Sequence, residues 1–64
     1  MSTDIAKARM ISELTKLAEE FQSTAAGLGE LRIAEGMMDA ETKELIDRLL
    51  YTSSRLRDLA GEAE

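Results

Sequence analysis

Residues 10–31 read MISELTKLAEEFQSTAAGLGEL, and their large side chains recur at alternating steps of four and three residues. This first leucine seam consists of Met10, Leu14, Leu17, Phe21, Thr24, Leu28 and Leu31. Its one polar member is Thr24. Such spacing keeps one narrow stripe of an α-helix against a neighbouring helix. The segment therefore predicts a long helix that packs lengthwise along another helix.

A second leucine seam, again with steps of three and four, consists of Thr42, Leu45, Leu49, Thr52, Leu56 and Leu59. Ile46 and Leu50 widen its apolar stripe to about half of the helix circumference. A stripe of that width fits a helix that contacts two others at once. We therefore predict an all-α fold, an antiparallel helical hairpin that dimerises into a four-helix bundle.

The predicted boundaries define a single helical-hairpin domain over residues 1–64. Helix 1 is predicted over about 3–35, the turn over about 36–39 and helix 2 over about 40–60. Three residues set these limits. Gly36 is the predicted left-handed residue after helix 1, Asp39 is the N-cap of helix 2, and Gly61 is its C-terminal stop.

Gly27 and Gly29 leave two interpretations of helix 1. Each glycine costs about 1 kcal/mol relative to alanine inside a helix. In one interpretation the helix continues, and the small residues 25–27 let another backbone approach closely. In the other, the helix kinks or stops at 27–29. The first seam keeps its phase as far as Leu31, which favours the continuous helix.

Composition points to self-association. The chain has 64 residues, no cysteine and no histidine. A domain of this size buries only about 60% of the surface that its unfolded chain exposes. Such domains need disulfides, a metal or oligomerisation, and the first two lack their usual ligands here. We therefore predict a homodimer without a cofactor, a metal site or catalytic residues. The predicted core and dimer residues are Met10, Leu14, Leu17, Phe21, Leu28, Leu45, Leu49, Leu56 and Leu59.

The net charge is −5, which disfavours a general electrostatic grip on nucleic acid. No apolar run is long enough for a membrane span or a signal peptide, so we expect a cytoplasmic protein without a membrane partner. Glu41, Glu44 and Asp47 recur every three residues and could gather a weak cation site. Negative charge also suits the start of a helix, and this favours a solvated face over a metal site.

Arg48, Tyr51 and Arg55 are predicted to lie close together on the outer face of helix 2. Arginine and tyrosine are enriched at protein-interface hot spots, although the same residue types also grip phosphates and stack bases. A solvated face without a special role is the third interpretation. Two methionines in the turn suit either a cap over the bundle or an adaptable binding surface. The predicted partner-binding residues are Met37, Met38, Arg48, Leu50, Tyr51 and Arg55.

In length, acidity and two-helix pattern the chain is similar to two kinds of small helical hairpin. One is the Rop-type plasmid copy-number regulators, which are dimers that bind paired RNA loops. The other is the short helical-hairpin co-chaperones of bacterial secretion systems. The similarity is one of layout and places no family motif on particular residues.

The predicted function is that of a small non-enzymatic regulator from a bacterium or phage. It would be of the inhibitor, anti-activator or co-chaperone type and would occupy a surface of another, unidentified protein. The alternative is a Rop-like regulator that binds structured RNA or other nucleic acid.

Overall fold

A computed structural model describes the backbone of residues 2–63 and the side chains of 3–63, and it confirms the all-helical hairpin. Helix α1 spans Ser2–Glu35 and helix α2 spans Ala40–Ala63. The helices are antiparallel, and their Cα atoms form a rod of 53 × 15 × 11 Å. Because α1 has 34 residues and α2 has 24, the first turns of α1 lie beyond the end of α2.

Helix α1 is continuous through both of its glycines, so it does not stop at 27–29. A Cβ atom added to Gly27 would meet no atom within 4 Å, whereas one on Gly29 would lie 3.7 Å from Cδ1 of Ile46. Gly29 therefore faces α2, and Gly27 does not. We considered a close approach of another helix backbone to residues 25–27. Of these three residues only Ala25 is buried.

The end of α1 has the predicted left-handed glycine. Gly36 has a φ of +69°. Its N–H donates to the carbonyl of Ile33 at 3.1 Å, and the N–H of Met37 donates to the carbonyl of Arg32 at 2.9 Å. Together these bonds form the Schellman motif, which satisfies carbonyls that the helix end would otherwise leave free.

The start of α2 is capped by Asp39, as predicted. Its Oδ1 atom accepts a hydrogen bond from the N–H of Thr42 at 2.8 Å. Hydrogen bonds from the Thr42 side chain and backbone lower the pKa of the Asp39 carboxyl. The far end differs from the prediction, because α2 continues through Gly61 to Ala63. A helical glycine costs about 1 kcal/mol, which does not by itself end a helix.

The contact between the helices is made by small side chains. We call this line of residues the hairpin seam; its buried members within 3–63 are Ala18, Ala25, Thr42, Ser53 and Ala60. At its centre the Ser53 Oγ donates to the carbonyl of Ala18 at 2.7 Å. No large side chain in the described range is fully buried. At four of these five residues the hairpin seam thus lies one position after the leucine seams, for example at Ala18 rather than Leu17 and at Ser53 rather than Thr52. Thr42 belongs to both.

Candidate functional site: two faces and an outer strip

The hairpin seam separates two broad faces of the rod. Successive residues of an α-helix are turned by about 100° around its axis. A residue four positions after a hairpin-seam residue therefore lies on one side of the seam, and a residue one position before a seam residue lies on the other side. Gln22 and Arg57 share the first side, since Nη2 of Arg57 donates to Oε1 of Gln22 at 2.8 Å. An approximate two-fold axis relates two antiparallel helices, so Leu17 and Thr52 share the opposite side.

The side of Leu17 and Thr52 is apolar, and we call it the leucine face. Five of its large side chains are exposed: Met10 by 57%, Leu17 by 40%, Leu31 by 56%, Leu45 by 46% and Leu59 by 42%. Its half-buried members are Leu14, Phe21, Leu28, Leu49 and Leu56. The residues predicted for core and dimer contacts therefore lie along one face, between the neighbouring helix and solvent.

Two threonines interrupt the leucine face, Thr24 on α1 and Thr52 on α2. Oγ1 of Thr24 donates to the carbonyl of Glu20 at 2.8 Å. This bond satisfies the hydroxyl within its own helix, so covering Thr24 would leave no unpaired donor. Thr24 is thus compatible with an apolar contact.

The opposite face, which we call the polar face, carries Glu19, Gln22 and Arg57. Leu50 also lies here, three positions before Ser53 and 44% exposed. By the helical angle, Leu50 is about 100° away from Tyr51. It therefore does not belong to one surface with the arginines, although all were predicted to bind a partner.

Arg48, Tyr51 and Arg55 do share a surface, which we call the outer strip. They lie within an arc of about 60° on the side of α2 that points away from α1. Tyr51 is 68% exposed. An open depression beside it is lined by Glu44, Asp47, Arg48, Tyr51 and Thr52.

The charges of the outer strip are balanced locally. Nη2 of Arg48 lies 2.9 Å from Oε1 of Glu44. Nη1 of Arg55 lies 3.6 Å from Oδ2 of Asp58. Each arginine thus has a carboxylate on its own helix, which reduces its attraction for phosphate.

Met37 and Met38 lie at the end of the rod, apart from the outer strip. Met37 is 55% exposed and Met38 is half-buried. Arg48 lies eight residues beyond Ala40, the first residue of α2, which is about 12 Å along the helix. The six predicted partner-binding residues therefore occupy three places: the turn, the outer strip and the polar face.

The carboxylates at the start of α2 do not converge. Within residues 2–63, no group of three or more acidic side chains has a geometry that could hold a metal ion. Glu41, Glu44 and Asp47 follow one another along the helix instead.

Sequence reasoning placed Thr42 in the second leucine seam and Ala25 in a candidate close approach. It did not recognise the hairpin seam as the line of contact, and it missed Ser53 and Ala60. Ala18 and Ala25 are seven residues apart, as are Ser53 and Ala60. This second repeat was visible in the sequence but was masked by the larger leucines one position before it. A seven-residue repeat of small side chains is the signal that could have located the contact.

No protein-family model, no curated protein and no solved structure matches the chain. Over residues 2–63, neither helix combines the length and hydropathy that a bilayer crossing requires.

Proposed function

We propose that this chain is a small, non-enzymatic regulator of the bacterial or phage cytoplasm that binds another protein as a homodimer. It would act as an inhibitor, anti-activator or co-chaperone by covering a surface of that protein. The main supporting observation is the leucine face, which leaves five large apolar side chains of one hairpin exposed. Apolar surfaces of this extent mark contacts with another protein.

The size of the exposed surface supports the dimer. The chain has an accessible surface of 4920 Å² at a mass of 7.0 kDa, whereas a compact monomer of that mass exposes about 4,000 Å². The Cα radius of gyration is 15.1 Å, against about 11 Å for a compact domain of this length. The excess surface is about what one partner buries in a standard interface.

The outer strip is the proposed contact for the other protein. Tyr51 offers a large exposed ring between two arginines, which is the residue combination enriched at binding hot spots. The net charge of −5 disfavours a general electrostatic grip on a phosphate backbone. We therefore place the RNA-binding alternative second.

Light scattering tests the dimer. Leu17→Glu puts a charge on the leucine face and should convert the protein to a monomer at tens of micromolar, because burying an unpaired carboxylate is costly. Gln22→Glu is the control, with its new charge on the polar face, and should leave the dimer intact. A monomeric mass for the unaltered chain would refute the dimer.

Affinity purification from a bacterial lysate tests the outer strip. The unaltered chain, Tyr51→Ala and the control Leu50→Ala are compared as baits. We expect Tyr51→Ala to lose proteins that the other two retain. If all three baits retain the same proteins, the outer strip is not the binding surface. Retention of RNA that declines steeply with salt would support the alternative instead.

A further inference from the structure

The leucine face also specifies how two copies would pair, an inference that rests on the proposed homodimer. Two hairpins can stack their leucine faces in two symmetric ways. In one, α1 of each copy packs on α2 of the other, and the two-fold axis runs along the helices. In the other, α1 packs on α1 and α2 on α2, and the axis crosses the helices. The positions of the face residues along the rod distinguish these arrangements.

Two contacts fix the relative height of the helices. Ser53 bonds to Ala18, and Ile46 faces Gly29. The average of these two contacts places Thr24 of α1 and Leu49 of α2 at the same height along the rod. Because the helices are antiparallel, a residue one position later on α1 lies at the height of a residue one position earlier on α2. A two-fold axis along the helices leaves height unchanged. Residues that are level within one hairpin are then also level between the two copies.

At these heights the leucine faces match in layers when α1 meets α2 of the second copy. The paired positions are Leu14 with Leu59, Leu17 with Leu56, Phe21 with Thr52, Thr24 with Leu49, and Leu28 with Leu45. Each threonine thus packs on a large side chain of the other copy, Thr24 on Leu49 and Thr52 on Phe21. Alternation of this kind fills a bundle core without a cavity or an overlap. The match needs no sliding of one hairpin along the other.

Charges beside the leucine face favour the same arrangement. In the middle of the rod the outer border of this face carries Glu13 and Glu20 on α1, and Arg48 and Arg55 on α2. Glu20 is level with residue 53, so Arg55 of the second copy is two residues away, about 3 Å along the axis. Packing α1 on α1 would place the glutamates beside each other instead.

The area is sufficient for a stable contact. The accessible surface of 4920 Å² exceeds that of a compact monomer of this mass by about 900 Å², which is close to what each partner buries in an interface of standard size. The existing partners of Arg55 and Arg48 do not prevent new pairs, since both ion pairs are exposed and such pairs contribute little.

We infer that this chain forms a two-fold dimer in which α1 packs antiparallel on α2 of a second copy, with Glu20 beside Arg55 of that copy. All four neighbouring helix pairs in the bundle are then antiparallel. Of the outer strip, Arg55 then takes part in the dimer contact, whereas Tyr51 lies outside it and stays exposed for the other protein.

Cysteine cross-linking tests the arrangement directly, because the chain has no cysteine of its own. A Leu17→Cys chain and a Leu56→Cys chain of different lengths are mixed, refolded together and oxidised. We expect mixed disulfide dimers to form well above the yield of either chain with itself. A Gln22→Cys chain mixed with Leu56→Cys is the control for random collision and should give no product above background.

Charge exchange provides a second test that does not depend on oxidation. Glu20→Arg and Arg55→Glu should each raise the dimer dissociation constant about ten-fold, since each removes two attractions and adds two repulsions. The double variant Glu20→Arg/Arg55→Glu should recover most of the affinity. Glu19→Arg, with its new charge on the polar face, should have little effect.

The outcomes separate this inference from the proposed function. A dimer by light scattering that gives no mixed disulfide, or that cross-links mainly through two Leu17→Cys chains, overturns the arrangement and keeps the dimer. Failure of the double variant to recover affinity also counts against the arrangement. A monomer under all conditions refutes the homodimer itself.

Discussion

Over most of their length the hairpin seam and the leucine face lie one residue apart on each helix, yet they differ in what they bury. The hairpin seam has alanine, serine and threonine with exposures of 6% or less, whereas its leucine neighbours are exposed by 40% or more at Leu17, Leu45 and Leu59. Small side chains let the two helix backbones approach closely. The large side chains are then displaced from the contact. Hydrophobicity alone therefore does not indicate which residues hold this hairpin together.

The largest expected change in stability comes from placing a large side chain in the hairpin seam, and it is compared with the loss of a large side chain from the adjacent position on the leucine face. Ala18→Leu places three additional carbons where Ala18 is 0% exposed. This should force the helices apart and lower the free energy of unfolding by about 1–3 kcal/mol or more. Leu17→Ala should cost less than that in dilute solution, where the leucine face is unpaired. Thermal unfolding followed by circular dichroism measures both.

Ala26→Leu is the control for that comparison, because Ala26 is exposed. It should change stability by less than about 0.5 kcal/mol. If Ala18→Leu were no worse than Ala26→Leu, the small side chains would not determine the approach of the helices.

Replacing either of two glycines by alanine should change the free energy of unfolding, but in opposite directions. Gly27→Ala should raise the stability by about 1 kcal/mol, because the new Cβ meets no atom and the residue is helical. Gly36→Ala should lower it by about 1–2 kcal/mol, since its φ of +69° is unfavourable for alanine. Urea unfolding of both variants is the measurement. A loss of stability in Gly27→Ala would mean that the surroundings of residue 27 are more crowded than the hairpin alone shows.

A smaller loss is expected from the hydrogen bond at the centre of the hairpin seam. Ser53→Ala removes the donor to the Ala18 carbonyl and should cost about 0.5–1.5 kcal/mol. Ser54→Ala, at an exposed position, is the matched control and should be nearly neutral. Equal effects of the two variants would show that the seam depends on size and not on this bond.

The smallest expected effect is a pH dependence of the stability, which arises from Asp39 in the turn. Hydrogen bonds from Thr42 lower the pKa of Asp39 in the folded chain. In the unfolded chain the Asp39 carboxyl binds a proton more readily than in the folded chain. The contribution of Asp39 to stability is therefore complete above the ordinary pKa of about 3.9 and declines as the pH falls. Asp39→Asn keeps a capping oxygen that cannot titrate. It should therefore lose less stability than the unaltered chain between about pH 5 and pH 2, as measured by urea unfolding.

The sequence predicted the hairpin because its signals were local. The left-handed Gly36 and the cap at Asp39 follow from the chemistry of a few neighbouring residues, and both are present. Gly61 shows the limit of such signals. A single glycine lowers helix propensity, but the remaining hydrogen bonds of α2 are sufficient to continue the helix to Ala63.

The choice of contact face could not be predicted in the same way. A stripe of leucine at heptad spacing shows that a helix packs against something, but it does not say whether the neighbour is the same chain or another one. That choice depends on side-chain size at positions such as Ala18 and Ser53. It also depends on the relative height of the helices, which only the folded hairpin fixes. The candidate binding residues separated for the same reason, since Leu50 and Tyr51 are adjacent in sequence but lie on different sides of α2.

The position of Tyr51 makes it a built-in optical reporter. The chain has one tyrosine and no tryptophan, so its near-ultraviolet emission comes mainly from this one ring. The ring is 68% exposed, and it lies on the side of α2 that points away from α1. Diluting the protein until two copies separate should therefore leave the emission per chain unchanged. Binding of a different protein to the outer strip should alter it, so that an unlabelled sample distinguishes the two associations by fluorescence.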